Sequence, residues 1–526
     1  MENTHDENTV VSPLLQAPNT LLPPRKQYCS DRRDILLAGV LAILSVVGVY
    51  LSLFGGFRLG FVLSYVAILA CGGIYLSSRT ERPTPYALFC ISAAVASTGI
   101  FLWHNDGVMK FFSFCGILLL TMLALAEVTA PQRDGAKLLT ESLRLLVAFP
   151  LQHVGDALPA IFRIQRGETI EKRRCGGVLL GLLCSLPALL VVVPLLISAD
   201  AAFEGLLENV APQNGGEAIG SLILGLCLFG LLFSRWFGLR YSMASTAPLQ
   251  AKARKGADAA AINAFLGVIS GVYLLYLFSQ LAYFFSAFSG ILPKNYTVAQ
   301  YARRGFFEMC AVCAVNVGLV ALSLWLCRKN KEGKTPLSIR IQTLFILIFS
   351  LGLVAVALSK MGLYIGSFGM TRLRILTSVF MVMLGAALIG IILRLFLPRL
   401  PYVKVIIATV AVLGLVAGYV DVDTTVARYN VTAYQNGKLE QIDVGTLSRL
   451  SDGATPYLVK LLKDKDYNVR SQAAHALYSR IEEWGDFDDN GKFKADERIP
   501  LREYTVDAAR SRALLLKNAK RIYKLL

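Results

Sequence analysis

Between residues 35 and 420 the chain alternates long uncharged apolar runs with short polar stretches. The runs are 35–54, 59–76, 86–103, 111–126, 176–199, 218–234, 259–293, 309–327, 341–359, 375–393 and 405–420. A helix rising about 1.5 Å per residue needs about 20 apolar residues to cross a hydrocarbon layer about 30 Å thick. Helix formation also satisfies the backbone groups that lipid cannot. The pattern predicts about eleven transmembrane helices, of which 111–126 and 405–420 are short. Hydrophobic residues make up 55% and charged residues 17% of the chain, outside the usage of soluble domains. The expected fold is all-α: a polytopic transmembrane helical bundle with a small helical soluble C-terminal domain.

Polar segments divide the rest. Residues 1–34 are polar, hold Pro23-Pro24, and read as a flexible cytoplasmic tail without the apolar core of a signal peptide. Transmembrane helices 1–4 fill 35–129, and helices 5–11 fill 175–420. Between them, the segment 130–174 interleaves Leu138, Leu139, Leu145, Leu146, Val147 and Phe149 with Lys137, Arg144, Arg163 and Arg166. Such a pattern suits interfacial helices near anionic headgroups, or a connector packed on the bundle. Ten cysteines all lie at or before Cys327, so the tail has no disulfide framework. Cys310 and Cys313, one turn apart in a span, read as packing residues.

The net charge of +17 follows topology. With the N-terminus in the cytoplasm, inside segments carry 27 Lys and Arg, outside loops 8, and the tail after residue 420 the other 18. This positive-inside bias places an eleven-span protein's C-terminal domain outside the cell membrane. It accounts for the basic balance without a nucleic-acid partner.

From residue 421 the chain changes character. The stretch Ala454-Thr455-Pro456-Tyr457-Leu458-Val459-Lys460-Leu461-Leu462, followed by Val469-Arg470, Ala473-Ala474 and Leu477, has the pattern of one HEAT-like helical hairpin. One repeat cannot bury its faces alone, so the pair needs something to dock on. Further on, Asp486-Phe487-Asp488-Asp489-Asn490-Gly491-Lys492-Phe493-Lys494-Ala495-Asp496-Glu497 fits the calcium-loop pattern D-x-[DN]-x-[DN]-G-x₅-E. Asp486, Asp488 and Asn490 offer side-chain oxygens, Lys492 its carbonyl, and Glu497 a bidentate carboxylate for Ca²⁺. Phe493, Lys494 and Pro500 depart from the usual loop, and no second loop pairs with it. A solvated turn between two helices is the plainer reading.

Several short segments carry a resemblance. They are Leu195-Leu196-Ile197-Ser198-Ala199-Asp200-Ala201-Ala202-Phe203, Tyr301-Ala302-Arg303-Arg304-Gly305-Phe306-Phe307-Glu308, Met361-Gly362-Leu363-Tyr364, Gly369-Met370-Thr371-Arg372-Leu373-Arg374 and Ala427-Arg428-Tyr429-Asn430. Together, over roughly 175–480, they resemble a family of bacterial membrane proteins known as domain of unknown function 4173, also grouped as 4153. The resemblance implies a multi-helix membrane fold and no established activity.

Candidate chemistry concentrates on those segments. Six of the eight outside basic residues are Lys294, Arg303, Arg304, Lys360, Arg372 and Arg374. Asp200, Glu308, Asp421, Asp423, Arg428 and Asn430 fall near the same face. Charges near membrane depth are costly unless they pair or face a cavity, and arginine's planar fork suits phosphate or carboxylate. One reading is an outer site for an anionic lipid headgroup or envelope component, held by these arginines and Arg428 and positioned by Glu308, Asp200 or Asp421. The other is ion pairing that fastens helix ends. Within the spans, Glu127, Asn263, Gln280 and Asn316 read as interhelical hydrogen-bonding groups, with Gln280 the best candidate for a transport pathway. His5, His104, His153 and His475 are scattered, and there is no H-E-x-x-H, phosphate-loop or serine-elbow motif. The leading expectation is a non-enzymatic membrane protein that binds or moves an anionic envelope component. Two other classes are a sensor or scaffold whose tail binds calcium or a protein partner, and a transferase acting on a lipid-linked substrate.

Overall fold

The structure is a computed structural model. It describes residues 31–53, 55–77, 83–129, 135–154, 215–242, 258–289, 306–327, 335–487, 493–495 and 504–526. Among these, ten helices are long and apolar enough to cross a membrane, coinciding with ten of the eleven runs. The eleventh run, 176–199, lies outside the described residues.

The helices are α1 (Arg32–Leu53), α2 (Leu59–Leu76), α3 (Pro85–Thr98) continued by the short α4 (Ile100–Trp103), α5 (Gly107–Thr129) and α6 (Ala136–Leu143). After them come α7 (Gly215–Ser242), α8 (Ala259–Ser289), α9 (Phe306–Leu326), α10 (Leu337–Phe368), α11 (Arg372–Phe396) and α12 (Tyr402–Tyr419). Among the described residues, most buried apolar side chains of the bundle gather in two cores, with a smaller cluster around Phe61, Phe101 and Ile117. One holds Leu41, Leu123, Phe233 and Phe237 from α1, α5 and α7. The other holds Leu266, Ile346, Leu353 and Met381 from α8, α10 and α11.

The amphipathic segment combines both readings offered for it. Helix α6 passes through a π-helical turn (Arg144–Ala148) and continues as helix to residue 154. Leu138, Leu145, Phe149 and Val154 are buried in the first core. Leu139, Leu143, Val147 and Leu151, spaced four apart, form an exposed apolar row on the other side. Such a row suits a helix lying at a membrane interface.

Past α12 the chain builds a small helical unit: α13 (Val422–Gln435), α14 (Val444–Ser448), a 3₁₀ turn (Asp452–Ala454), α15 (Thr455–Leu461), α16 (Tyr467–Ile481) and α17 (Val506–Tyr523). Helices α15 and α16 form the hairpin expected from the sequence. Pro456 sits in the first turn of α15, where no N–H is needed. Asp466 caps α16 through the Asn468 amide. The unit's core (Val426, Leu458, Leu477, Leu515) extends to Met109 of α5, with Met370, Ile375 and Ala417 packed against it. The hairpin packs on α13, α14 and α17 of its own unit, and that shared core reaches the end of the bundle, which resolves how a single repeat buries its faces. Between α16 and α17, strands β1 (Gly485–Phe487) and β2 (Phe493–Ala495) pair antiparallel, with Phe487 opposite Phe493.

Candidate functional site: a buried polar layer beneath the C-terminal unit

The layer begins at the break between α4 and α5. The polar triplet His104-Asn105-Asp106 separates two apolar helices, so its side chains fall at one end of the bundle. The last span, α12, ends at the same level. The Tyr419 hydroxyl donates to the Ala96 carbonyl at 2.7 Å, an approach open only because residue 99 is glycine: a Cβ there would overlap that hydroxyl. Gly418 likewise packs on Ile100 without room for a side chain. These contacts carry the end of α12 onto His104.

His104 is 1% exposed, Asp421 6% and Asp507 7%, so bulk water solvates none of them. The His104 Nδ1 atom lies 2.9 Å from Asp507 Oδ2 and 3.5 Å from Asp421 Oδ2. Its Nε2 lies 3.0 Å from the Gly418 carbonyl oxygen. Asp421 has a left-handed backbone (φ 53°), unusual outside glycine, and caps α13 through the Asp423 amide. Thr424 donates its hydroxyl to Asp421 Oδ2, and a Cβ on Gly453 would overlap both atoms. Burial opposes a charge on His104, but the Asp507 hydrogen bond and the two carboxylates outweigh it and raise its pKa. Burial raises the Asp421 pKa, against the Thr424 hydrogen bond and the His104 charge.

Beside this trio stands Arg372. Its Nε donates to Asp423 Oδ1 at 2.8 Å and its Nη2 to Oδ2, the planar fork meeting one carboxylate. Nη1 is 3.8 Å from Asp106 Oδ1. Asp423 Oδ2 also accepts from the Ser451 amide at 2.7 Å, tying in the C-terminal unit. Burial, then the Asp423 charge, raises the Asp106 pKa. Lys110 donates to the Asn105 side chain and the Gly56 carbonyl.

The sequence-selected residues separate. Arg372, Asp421 and Asp423 come together in this layer. Asn430 clamps the α10–α11 turn, accepting from the Met370 amide and donating to its carbonyl, both at 2.7 Å. Arg374 is spent on the same turn: it donates to the Phe368 and Gly369 carbonyls and lies 3.9 Å over the Tyr364 ring. Lys360 is half-buried on α10, and Glu308 is exposed at the start of α9. Arg428 is exposed on α13 and lines an open pocket of about 400 Å³ with Lys438, Thr425, Thr432, Asn436, Tyr429 and Met370. Neither Arg428 nor Lys438 makes a side-chain hydrogen bond or ion pair with a described residue. Glu127 pairs with Lys404 at 2.7 Å, Asn263 donates to Ser338, and Asn316 to Ser350. Cys313 donates to the Ser350 carbonyl, and Cys310 lies against Met381.

Asp200, Arg303 and Arg304 lie outside the described residues, as do Asp488, Asn490, Lys492 and Glu497 of the calcium pattern. The side chains of Gln280 on α8 and Asp486 in β1 are outside them too. Across that pattern the described residues 485–487 and 493–495 pair as short strands, between helices α16 and α17. Sequence reasoning missed His104, Asp106, Lys110 and Asp507. The signal available was the polar triplet between two spans; its partners, hundreds of residues away, left none.

A family model described as Domain of unknown function (DUF4153) matches residues 90–461. The chain belongs to this family. The DUF4153 region starts earlier than the roughly 175–480 over which the resemblance was read, and so takes in His104 and Asp106 with Arg372, Asp421 and Asp423. Asp507 lies beyond it. No curated protein and no solved structure matches the chain. This DUF4153 member is an all-α, multi-pass integral membrane protein.

Proposed function

We propose that this protein binds an anionic, phosphate-bearing headgroup in the pocket on α13, at the bundle end that carries the C-terminal unit. The observation that carries the reading is the pairing of Arg428 and Lys438, two cations without acidic partners among the described residues, around an open cavity lined by Thr425, Thr432 and Asn436. A guanidinium and an ammonium with nearby hydroxyl and amide donors suit a phosphate. Relative to the sequence expectation, the site moves from Arg372 and Arg374, which are engaged by protein groups, to Arg428. We place the N-terminus in the cytoplasm and this pocket on the outer face of the cell membrane, supported by the odd number of apolar runs and the charge bias of the loops.

Short-chain phosphatidylglycerol and phosphatidylcholine, titrated against the detergent-solubilised protein, test the binding. We expect preference for the anionic lipid, and Arg428→Gln with Lys438→Gln to weaken it by about tenfold or more. Equal affinity for both lipids, or unchanged affinity in the double variant, sinks the reading. Single cysteines at Gln435 and Ser338 in a cysteine-free background test the orientation. Labelling from outside intact cells at 435 and not at 338 is the expected result.

A further inference from the structure

We propose that His104, Asp421 and Asp507 form a binding site for a divalent transition-metal ion of the zinc and manganese class. The proposal is independent of the Arg428 pocket.

The ring of His104 is oriented as a ligand. Nε2 lies 3.0 Å from the Gly418 carbonyl oxygen, which only accepts, so Nε2 carries the hydrogen. A histidine whose distal N–H is held by a backbone carbonyl is how metal-ligating imidazoles are fixed, with the other nitrogen's lone pair turned to the ion. Here that nitrogen, Nδ1, faces the two carboxylate oxygens, and the three atoms lie within 4.8 Å of one another. Without an ion, Nδ1 carries the ring's second hydrogen and donates it to Asp507 at 2.9 Å; an ion between the carboxylates takes that hydrogen's place and leaves the ring neutral.

The spacing fits. Donors about 2.0–2.1 Å from an ion, at tetrahedral or octahedral angles, lie about 2.8–3.4 Å apart. Nδ1 stands 2.9 and 3.5 Å from its two partners. The charge fits as well: two carboxylates and a neutral imidazole carry −2, which a divalent ion cancels inside a site closed to bulk water. One nitrogen with two carboxylate oxygens suits zinc or manganese better than calcium or copper(I). The outer contacts are also present, because Thr424 holds Asp421 Oδ2 by its hydroxyl. Nearby, Asp106 keeps a buried oxygen, Oδ2, with no hydrogen-bond partner. Three protein donors leave a tetrahedral ion one open position, the arrangement of reactive rather than closed structural zinc.

The test uses the full-length protein, purified in detergent without chelator from cells grown with zinc and manganese. Mass spectrometry of the eluted metal is expected to find about one ion per chain, and X-ray absorption one imidazole nitrogen with the remaining ligands oxygen. Chelator should lower Tm, and zinc or manganese should restore it. Asp507→Asn and His104→Gln should each lose affinity by at least about 100-fold while eluting as monodisperse protein. Wild type that carries no ion and takes up neither metal overturns the proposal. So does a bound ion with no imidazole ligand, or one retained equally by folded variants. Should both variants fail to fold, the wild-type absorption spectrum decides alone.

Discussion

The two ends of the bundle handle buried charge differently. At the end where α1 starts, Asp34 is fully buried and receives Arg240 at 2.7 Å, the Tyr75 and Tyr241 hydroxyls at 2.7 and 2.8 Å, and the Asp31 amide. Arg240 also lies over the Tyr75 ring. Glu127 receives Lys404 at 2.7 Å. There each buried acid has its own base; the second acid on Arg240, Asp31 at 3.5 Å, is exposed to solvent. At the other end, beneath the C-terminal unit, the named cations are shared: His104 between Asp421 and Asp507, Arg372 between Asp423 and Asp106. A buried acid with its own base is a fastener, because nothing further is needed to neutralise it. Two acids on one cation leave charge over, and that surplus marks where an additional positive group fits.

The largest effect is expected at the balanced end. Asp34→Ala leaves the buried Arg240 with only the exposed, longer Asp31 contact and should cost about 3–5 kcal/mol. The measurement is recovery of monodisperse protein and its Tm in detergent. A loss under about 1 kcal/mol would show that the pair is not a fastener.

Arg372→Gln should cost less, about 2–3 kcal/mol, because the Arg372 side chain is 30% exposed and partly screened. Sharing makes a further prediction. Adding Asp106→Asn to Arg372→Gln should recover part of the loss, since the variant then has one fewer unpaired acid. Strict additivity of the two changes would mean that Arg372 serves Asp423 alone.

The smallest effect lies outside both layers and calibrates them. Asp443 caps α14, accepting from the Thr446 amide at 2.9 Å and its hydroxyl at 2.6 Å. Those bonds, the hydroxyl first, hold its carboxyl below the ordinary value. A depressed folded-state pKa gives stability that is present above the unfolded value near about 3.9 and lost as pH falls through the folded one. Asp443→Ala should cost about 0.5–1 kcal/mol at neutral pH and remove that acid-side decline. An unchanged pH profile would count against the cap.

Much of this architecture was legible because lipid imposes it. A run such as 341–359 has few alternatives to a long helix, and Thr455-Pro456 and Asp466 stand at the starts of α15 and α16, where their backbone chemistry suits them. The face shared by Arg372, Asp421 and Asp423 was readable from the parity of the spans. What the residues do to one another was not. Arg374 is as basic as Arg428 in sequence, yet one caps a turn against Tyr364 and the other faces an open pocket. His104 looked like a stray histidine because its two carboxylates lie 317 and 403 positions away. Pairing at that range is decided by packing glycines, Gly99 and Gly418, whose role no periodicity shows.

The distance from His104 to Asp507 also sets a clock on biosynthesis. A ribosome adding about 5–20 residues per second needs roughly 20–80 s to make the 403 intervening positions. Until then the first spans wait with an imidazole that lacks its nearest carboxylate. A chain released before α17 never closes that contact, so completion of the layer reports that translation reached the final helix.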